Sequence, residues 1–251
     1  MPYRLDLGHA EPDAADRLID LGALDLEPSP HGGLAALMPD SVTPGEVAAA
    51  LGTDGLSLSP AEGRDAGSVW VLRPRPLRIG PGTLTLIDAA AFGTGLHPTT
   101  SLCLDALRDA ADAKPASVLD VGTGSGVLAL GALLLGIPRA LGIDIDQAAL
   151  RVAEENARLN GLDARLQLAL GGPGAISGTW PLVVANVLAA PLIEMAPVLV
   201  RRVGHHGQVI LSGIPASVAP DVEQAYRRLG MLPVSRTSRG SWVALGLRAS
   251  W

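Results

Sequence analysis

From Ser117 onward, short apolar runs alternate with helical stretches, and this alternation leaves few folds open. Val118–Val121, Ala140–Ile143, Arg165–Ala169, Leu182–Ala185 and Gln208–Leu211 read as strands. Gly126–Leu135, Gln147–Leu159, Pro191–Val203 and Ser217–Leu229 read as helices between or after them. Apolar strands separated by helices belong to a parallel sheet covered on both faces. Leu232–Arg236 and Ser241–Leu247, joined by Ser238-Arg239-Gly240, read as an antiparallel hairpin at the sheet edge. The predicted architecture of residues 83–251 is therefore a doubly wound, Rossmann-like α/β sheet with a terminal hairpin. Thr83–Ile87 is a further strand candidate, and Pro98–Ala111 a helix.

Residues 1–60 follow a different order. Tyr3–Leu7 has strand period, Glu11–Leu21 has helical spacing, and short strands are expected near Leu24–Leu26 and at Leu34–Met38. Thr43, Pro44 and Glu46 form the signature of a capped helix start, and Leu56–Leu58 is a last strand. The order β-α-β-β-α-β predicts a small ferredoxin-like α+β domain. Residues 61–82, with Arg73-Pro74-Arg75-Pro76 and Gly80-Pro81-Gly82, read as a linker.

Composition narrows the partners. The 251 residues carry 19 Lys+Arg against 25 Asp+Glu, a net charge of −6. Residues 1–75 hold five arginines against twelve acids, net −7, so the amino-terminal part carries all the excess. Such a chain is a poor general polyanion binder and suits a basic partner better than nucleic acid. Cys103 is the one cysteine, so neither a disulfide framework nor a cysteine metal cluster is expected, and its setting reads as helix core. His205-His206 lacks partners at ligand spacing and is expected in a loop. No signal peptide is evident at Met1–Asp6, and the longest apolar run, Val127–Ile137, is too short to span a bilayer. A cytoplasmic protein without a membrane partner is the expectation.

The chemistry gathers where strands meet helices. The first strand of the sheet runs into Asp120-Val121-Gly122-Thr123-Gly124-Ser125-Gly126. Glycines at such a turn let backbone approach a ligand closely. Their spacing differs from the Gly-x-Gly-x-x-Gly of dinucleotide enzymes. An acid two residues before the first glycine would repel a pyrophosphate but suits the ammonium and sulfonium of S-adenosylmethionine. The second strand ends at Asp144, placed to accept both hydroxyls of a ribose, while Asp146 is expected to cap the next helix. The fourth strand ends at Asn186, where ligands of doubly wound sheets react. An amide oxygen there accepts from an amine and orients it, without being a strong base. A Gly-rich stretch, Phe92-Gly93-Thr94-Gly95-Leu96-His97-Pro98-Thr99-Thr100, precedes a helix start. A polar Gly/Thr/His cluster in that position points to a ligand.

These segments resemble the PrmA family, the methyltransferases of ribosomal protein L-eleven. The resemblance rests on Phe92–Thr100, Val118–Gly126, Gly142–Asp146, Glu155-Asn156-Ala157-Arg158-Leu159-Asn160-Gly161 and Val184–Ala189, and covers roughly residues 68–248. The glycine turn is common to class I methyltransferases; the Phe-Gly-Thr-Gly-x-His-x-Thr-Thr stretch with Ala-Asn-Val-Leu-Ala is narrower. The resemblance implies cofactor contacts at Thr100, Gly122, Asp144 and Asn186. Asp120, Thr123, Gly124 and Gly126 in the turn, and Ile145 beside Asp144, complete the expected S-adenosylmethionine set. It also implies a ferredoxin-like domain that recruits the substrate, here residues 1–60. Two departures stand out. The segment between the domains is shorter than the family's, and Leu170-Gly171-Gly172-Pro173-Gly174 follows the third strand where a polar residue is expected near the adenine.

The implied reaction is methyl transfer to amino groups, on a lysine side chain or the amino terminus, of a basic ribosomal protein, free or on the ribosome, leaving S-adenosylhomocysteine. Asn186 is the expected catalytic residue. His97 is a second candidate, as proton acceptor or as a residue lining the mouth of the site. A methyltransferase of the same fold acting on another protein or a small molecule is the alternative. A non-catalytic cofactor-binding protein is the third reading, opposed by the joint presence of Asp120, Asp144, Asn186 and His97. The glycine spacing and Asp120 argue against a nicotinamide dehydrogenase.

Overall fold

The structure is a computed structural model that describes residues 3–11, 13–23, 25–29, 33–39, 42–53, 55–60, 76–87 and 97–251. The chain divides into two compact units, the first within Met1–Arg73 and the second built from Pro74–Ile87 and Ala91–Trp251.

In the first unit, β1 (Tyr3–Leu7), β2 (Asp25–Pro28), β3 (Leu34–Met38) and β4 (Ser57–Pro60) form an antiparallel sheet in the order β2-β3-β1-β4. α1 (Ala14–Asp20) and α2 (Pro44–Leu51) connect them and touch each other. This is the ferredoxin-like order that the alternation of elements predicts. Leu5, Leu18, Met38 and Val47 are fully buried at its centre. α2 starts as its residues require: the Thr43 hydroxyl accepts from the Glu46 N–H, while the Glu46 carboxylate accepts from the Thr43 N–H at 2.7 Å. Both orphan donors of the helix start are thereby satisfied.

The second unit is a seven-stranded sheet in the order β12-β13-β11-β10-β7-β8-β9. Its parallel strands are β7 (Val118–Val121), β8 (Ala140–Asp144), β9 (Leu166–Leu170), β10 (Trp180–Asn186) and β11 (Val203–Pro215). β12 (Met231–Arg239) and β13 (Trp242–Ala249) form the expected edge hairpin, its second strand paired antiparallel with β11. Successive strand residues point to opposite faces. Val118, Leu182, Val184 and Ile210 meet α3 (Pro98–Ala111) and α4 (Val127–Leu134) in one core, joined by Ala157 of α5 (Gln147–Leu159). Leu119, Val183, Val209 and Leu211 meet α6 (Ala189–Val200) and α7 (Ala219–Arg227) in the other. The fold is therefore doubly wound about β7, with the carboxyl ends of the parallel strands on one rim.

Three details differ from the sequence reading. Residues 61–75 of the expected linker lie outside the described residues, and its last part is structured. β5 (Leu77–Ile79) and β6 (Gly82–Leu84) form a two-stranded hairpin, β6 resting on α4. The strand expected at Thr83–Ile87 ends at Leu84. His205 and His206 lie inside β11, which begins much earlier than the apolar run Gln208–Leu211 suggests. Cys103 is fully buried on α3, as its surroundings predict. No helix among the described residues is long and apolar enough to cross a membrane.

Candidate functional site

Between β7 and α4 the backbone passes through three left-handed glycines, Gly122, Gly124 and Gly126, with φ of 72°, 54° and 81°. L-residues with a side chain rarely adopt such angles, which explains the alternate spacing. The turn is closed by its own hydrogen bonds. The N–H groups of Gly122 and Thr123 both donate to Ile143 O, and that of Gly126 to Thr123 O. The Gly124 N–H donates to Asp144 Oδ2 at 2.9 Å. These four donors are spent within the protein.

Asp120 stands beneath the turn and is completely buried. Its Oδ2 accepts from the Thr123 hydroxyl at 2.7 Å and from the Ala129 N–H at 3.1 Å. Gly126, the residue before α4, has no side chain to cap the helix. Asp120 does so from the neighbouring strand. Its Oδ1 has no hydrogen-bond partner among the described residues. Burial pushes its carboxyl up to about 7, against the lowering pull of the Thr123 and Ala129 bonds.

Asp144 ends β8, its Oδ1 accepting from the Asp146 N–H at 3.0 Å. Asp146 caps α5 through the Ala148 N–H at 2.8 Å, as its spacing predicts. Ile145, between them, is 83% exposed, an unusual place for an isoleucine on a rigid rim. Leu170, the last residue of β9, is also exposed, and the Gly171 N–H donates to Asp144 O.

Asn186 ends β10, and its Nδ2 reaches the Thr100 hydroxyl of α3 at 3.5 Å. Its Oδ1 is buried and has no partner among the described residues. Val187 holds this corner from two sides. A Cβ on Gly122 would stand 2.6 Å from its side chain, and one on Gly213 would strike its backbone.

His97 is the N-cap of α3: its Nδ1 lies 2.8 Å from the Thr99 hydroxyl and accepts from the Thr99 N–H. With Nδ1 accepting, the neutral ring carries its proton on Nε2. Burial lowers its pKa to about 4. Trp242, a residue the sequence reading does not single out, packs edge-on against His97, ring centres 5.2 Å apart, and its Nε1 is buried without a partner among the described residues. Arg239 anchors the same hairpin to α3 through Ser101 and Asp105. Of the predicted stretch Phe92–Thr100, residues 92–96 lie outside the described residues.

One rim thus carries a glycine turn with four N–H groups bonded within the protein, a carboxylate, an exposed isoleucine and an amide oxygen. The sequence matches the profile of ribosomal protein L11 methyltransferase (PrmA) over residues 82–250. The chain belongs to this family. It is 44% identical over 177 residues to the ribosomal protein L11 methyltransferase of Chromohalobacter salexigens, a match covering 70% of this chain and 58% of that protein. The relative from Myxococcus xanthus is 41% identical over 187 residues, covering 72% and 64%. The chain therefore spans about three fifths of the length of the curated relatives it matches. Among solved structures, the ribosomal protein L11 methylase of Lactobacillus delbrueckii subsp. bulgaricus superposes with a TM-score of 0.61 at 37% identity, covering 66% of this chain and 85% of that one. An O-methyltransferase family protein of Burkholderia thailandensis, TM-score 0.51 at 14% identity and covering 58% and 55%, shares the fold. The family assignment covers the second unit, where all the candidate site residues lie.

Proposed function

We propose that the chain transfers methyl groups from S-adenosylmethionine to amino groups of a ribosomal protein, with L11 as the acceptor. The observation that carries this reading is Asn186: a buried amide oxygen without a partner among the described residues, at the carboxyl end of β10, its nitrogen turned to Thr100. Such an oxygen suits the N–H of an incoming amine.

The residues fit the cofactor. Gly122, Thr123, Gly124 and Gly126 shape the turn that it lies against, and Thr100 closes the site from α3. The buried Asp120, its carboxyl pushed up to about 7, is drawn to its charged form by a cation nearby. Asp144 has lone pairs left for the ribose hydroxyls, since each carboxylate oxygen accepts two hydrogen bonds. Ile145 offers an apolar face to the adenine, which meets no acid after β9. S-adenosylmethionine, when bound, supplies an electrophilic methyl group on a sulfonium. The acceptor must arrive neutral. A lysine with a pKa of about 10.4 pays roughly 4.6 kcal/mol to be neutral at pH 7. Desolvation in the site lowers that cost, and fixed orientation contributes roughly 7–11 kcal/mol more. Asn186 Oδ1 accepts one amine hydrogen and leaves the nitrogen lone pair facing the methyl. His97, with Nδ1 already accepting, holds the start of α3 and is no base; the amine's proton leaves to water.

Substrate recruitment falls to residues 1–60, joined through the following residues to a methyl-transfer domain that includes the β5–β6 hairpin, in a cytoplasmic protein. The excess negative charge of the first part suits a basic ribosomal protein. The family match beginning at residue 82 favours one second reading, the same chemistry on another protein or a small molecule. The deciding experiment is the intact mass of unmethylated L11 after incubation with the protein and S-adenosylmethionine. Steps of one methyl each, absent without cofactor, are expected. No steps, in a protein that binds S-adenosylhomocysteine by calorimetry, would move the acceptor elsewhere and keep the cofactor.

A further inference from the structure

Asn156 lies on α5 and is completely buried. Its Nδ2 donates to Ser125 O at 2.8 Å, the carbonyl just before Gly126 in the glycine turn. Its Oδ1 accepts from the Ile87 N–H at 2.7 Å. One turn later, Asn160 Oδ1 accepts from the Thr85 N–H at 2.9 Å, while its Nδ2 donates to Thr85 O and to Asn156 O, both at 2.7 Å. The two amides thus read alternate residues of an extended segment, whose Leu84 and Leu86 are buried in the core. The spacing matches: four helical residues rise about 6 Å, and two extended residues span about 6.6 Å. β6 ends at Leu84, and side-chain amides replace the strand neighbour that the backbone beyond it lacks.

We infer that Asn156 and Asn160 are positioning residues that hold the cofactor turn and the chain leading into residues 88–96 in one register. Ile87 directly precedes that stretch, and His97, which directly follows it, lies three residues before Thr100. A single buried amide therefore touches both the turn that shapes the cofactor side and the segment that leads towards the acceptor side. Asn160 grips only the second. The inference rests on the proposed methyl transfer, and its parts separate by variant.

The test compares wild type, Asn156→Ala, Asn156→Asp and Asn160→Ala in the full chain. S-adenosylhomocysteine affinity is read by calorimetry and L11 methylation as kcat and KM. Asn156→Ala is expected to weaken S-adenosylhomocysteine about tenfold, the loss of one buried hydrogen bond expressed as affinity. Asn160→Ala should keep that affinity within about twofold and lower kcat/KM for L11 about fivefold. Asn156→Asp separates positioning from mere folding. A protonated carboxyl can still donate to Ser125 O while accepting from Ile87 N–H, so its affinity relative to wild type recovers as the pH falls from about 8 to 5. Unchanged affinity in folded Asn156→Ala overturns the inference, as does an Asn156→Asp defect that ignores pH. Failure of the wild type to bind S-adenosylhomocysteine would instead sink the proposed function. Hydrogen exchange then decides the clamp: the Ile87 amide exchanges about tenfold faster in Asn156→Ala, and the Thr85 amide in Asn160→Ala, if the inference is right, and at the wild-type rate if it is wrong.

Discussion

Asn186 and Asp120 are both polar groups with an oxygen that has no partner among the described residues, and they act differently on a ligand. For Asn186→Ala, turnover should fall about 100-fold or more, as when a single positioned hydrogen-bonding group is removed from an active site. S-adenosylhomocysteine affinity should change far less, and full activity in that variant would end the role assigned to the amide. Asp120 and His97 also set opposing pH dependences of stability. His97, lowered to about 4, stays neutral in the fold while the unfolded chain protonates below 6.5, so stability falls as the pH drops through that window. Asp120, raised to about 7, keeps its proton in the fold while the unfolded chain releases it above 3.8, so stability falls as the pH rises from there to about 7. Asp120→Asn should therefore gain in urea-unfolding midpoint, relative to wild type, as the pH rises from about 4 to 8. A difference flat with pH would mean that the buried carboxyl does not titrate in that range. Residue types at this scale were readable, since an acid before a glycine turn and an amide at a strand end carry chemical meaning alone. Their partners were not. That Asp120 caps α4 at Ala129, or that Trp242 meets His97, depends on how distant elements dock.

Elements were legible where their boundaries have chemical punctuation. α3 and α5 occupy the predicted residues because His97-Pro98 and Asp146 start them, while Thr43, Pro44 and Glu46 announce α2. The β5–β6 hairpin was hidden by the same punctuation: Gly80-Pro81-Gly82 reads as linker, yet Gly80, φ 56°, makes its tight turn. The start of β11 was hidden because Gly204-His205-His206-Gly207 has no strand pattern, although it lies between Val203, which pairs with Trp180, and Gln208, which pairs with Leu182. The last corner of β11 makes a prediction of its own. Gly213 has a φ of 83° and lies against the Val187 backbone. Gly213→Ala should cost about 1–3 kcal/mol in unfolding free energy from the strained backbone, and should lower turnover by shifting the segment after Asn186. A variant as stable and active as wild type would show that this corner is not tightly set.

At the scale of the whole molecule, the two units differ in charge as well as in fold. Glu11, Asp13, Asp20 and Glu46 are exposed on the first, and all of the net negative charge lies in residues 1–75. If that charge draws in a basic acceptor, raising salt from about 50 to 300 mM should raise KM for L11 about threefold or more. S-adenosylhomocysteine affinity, set within the second unit, should move much less; a KM indifferent to salt would remove the electrostatic recruitment. The central placement of β7 has a consequence in time. β7 lies between β8 and β10, and the acid that caps α4 sits on it. During translation β8 follows at once, but β10 is made only after α5 and β9. α4, apolar on most sides and without a cap of its own, has little reason to stand before then. A chain emerging amino terminus first therefore completes most of its length before the strand that carries the α4 cap is flanked on both sides.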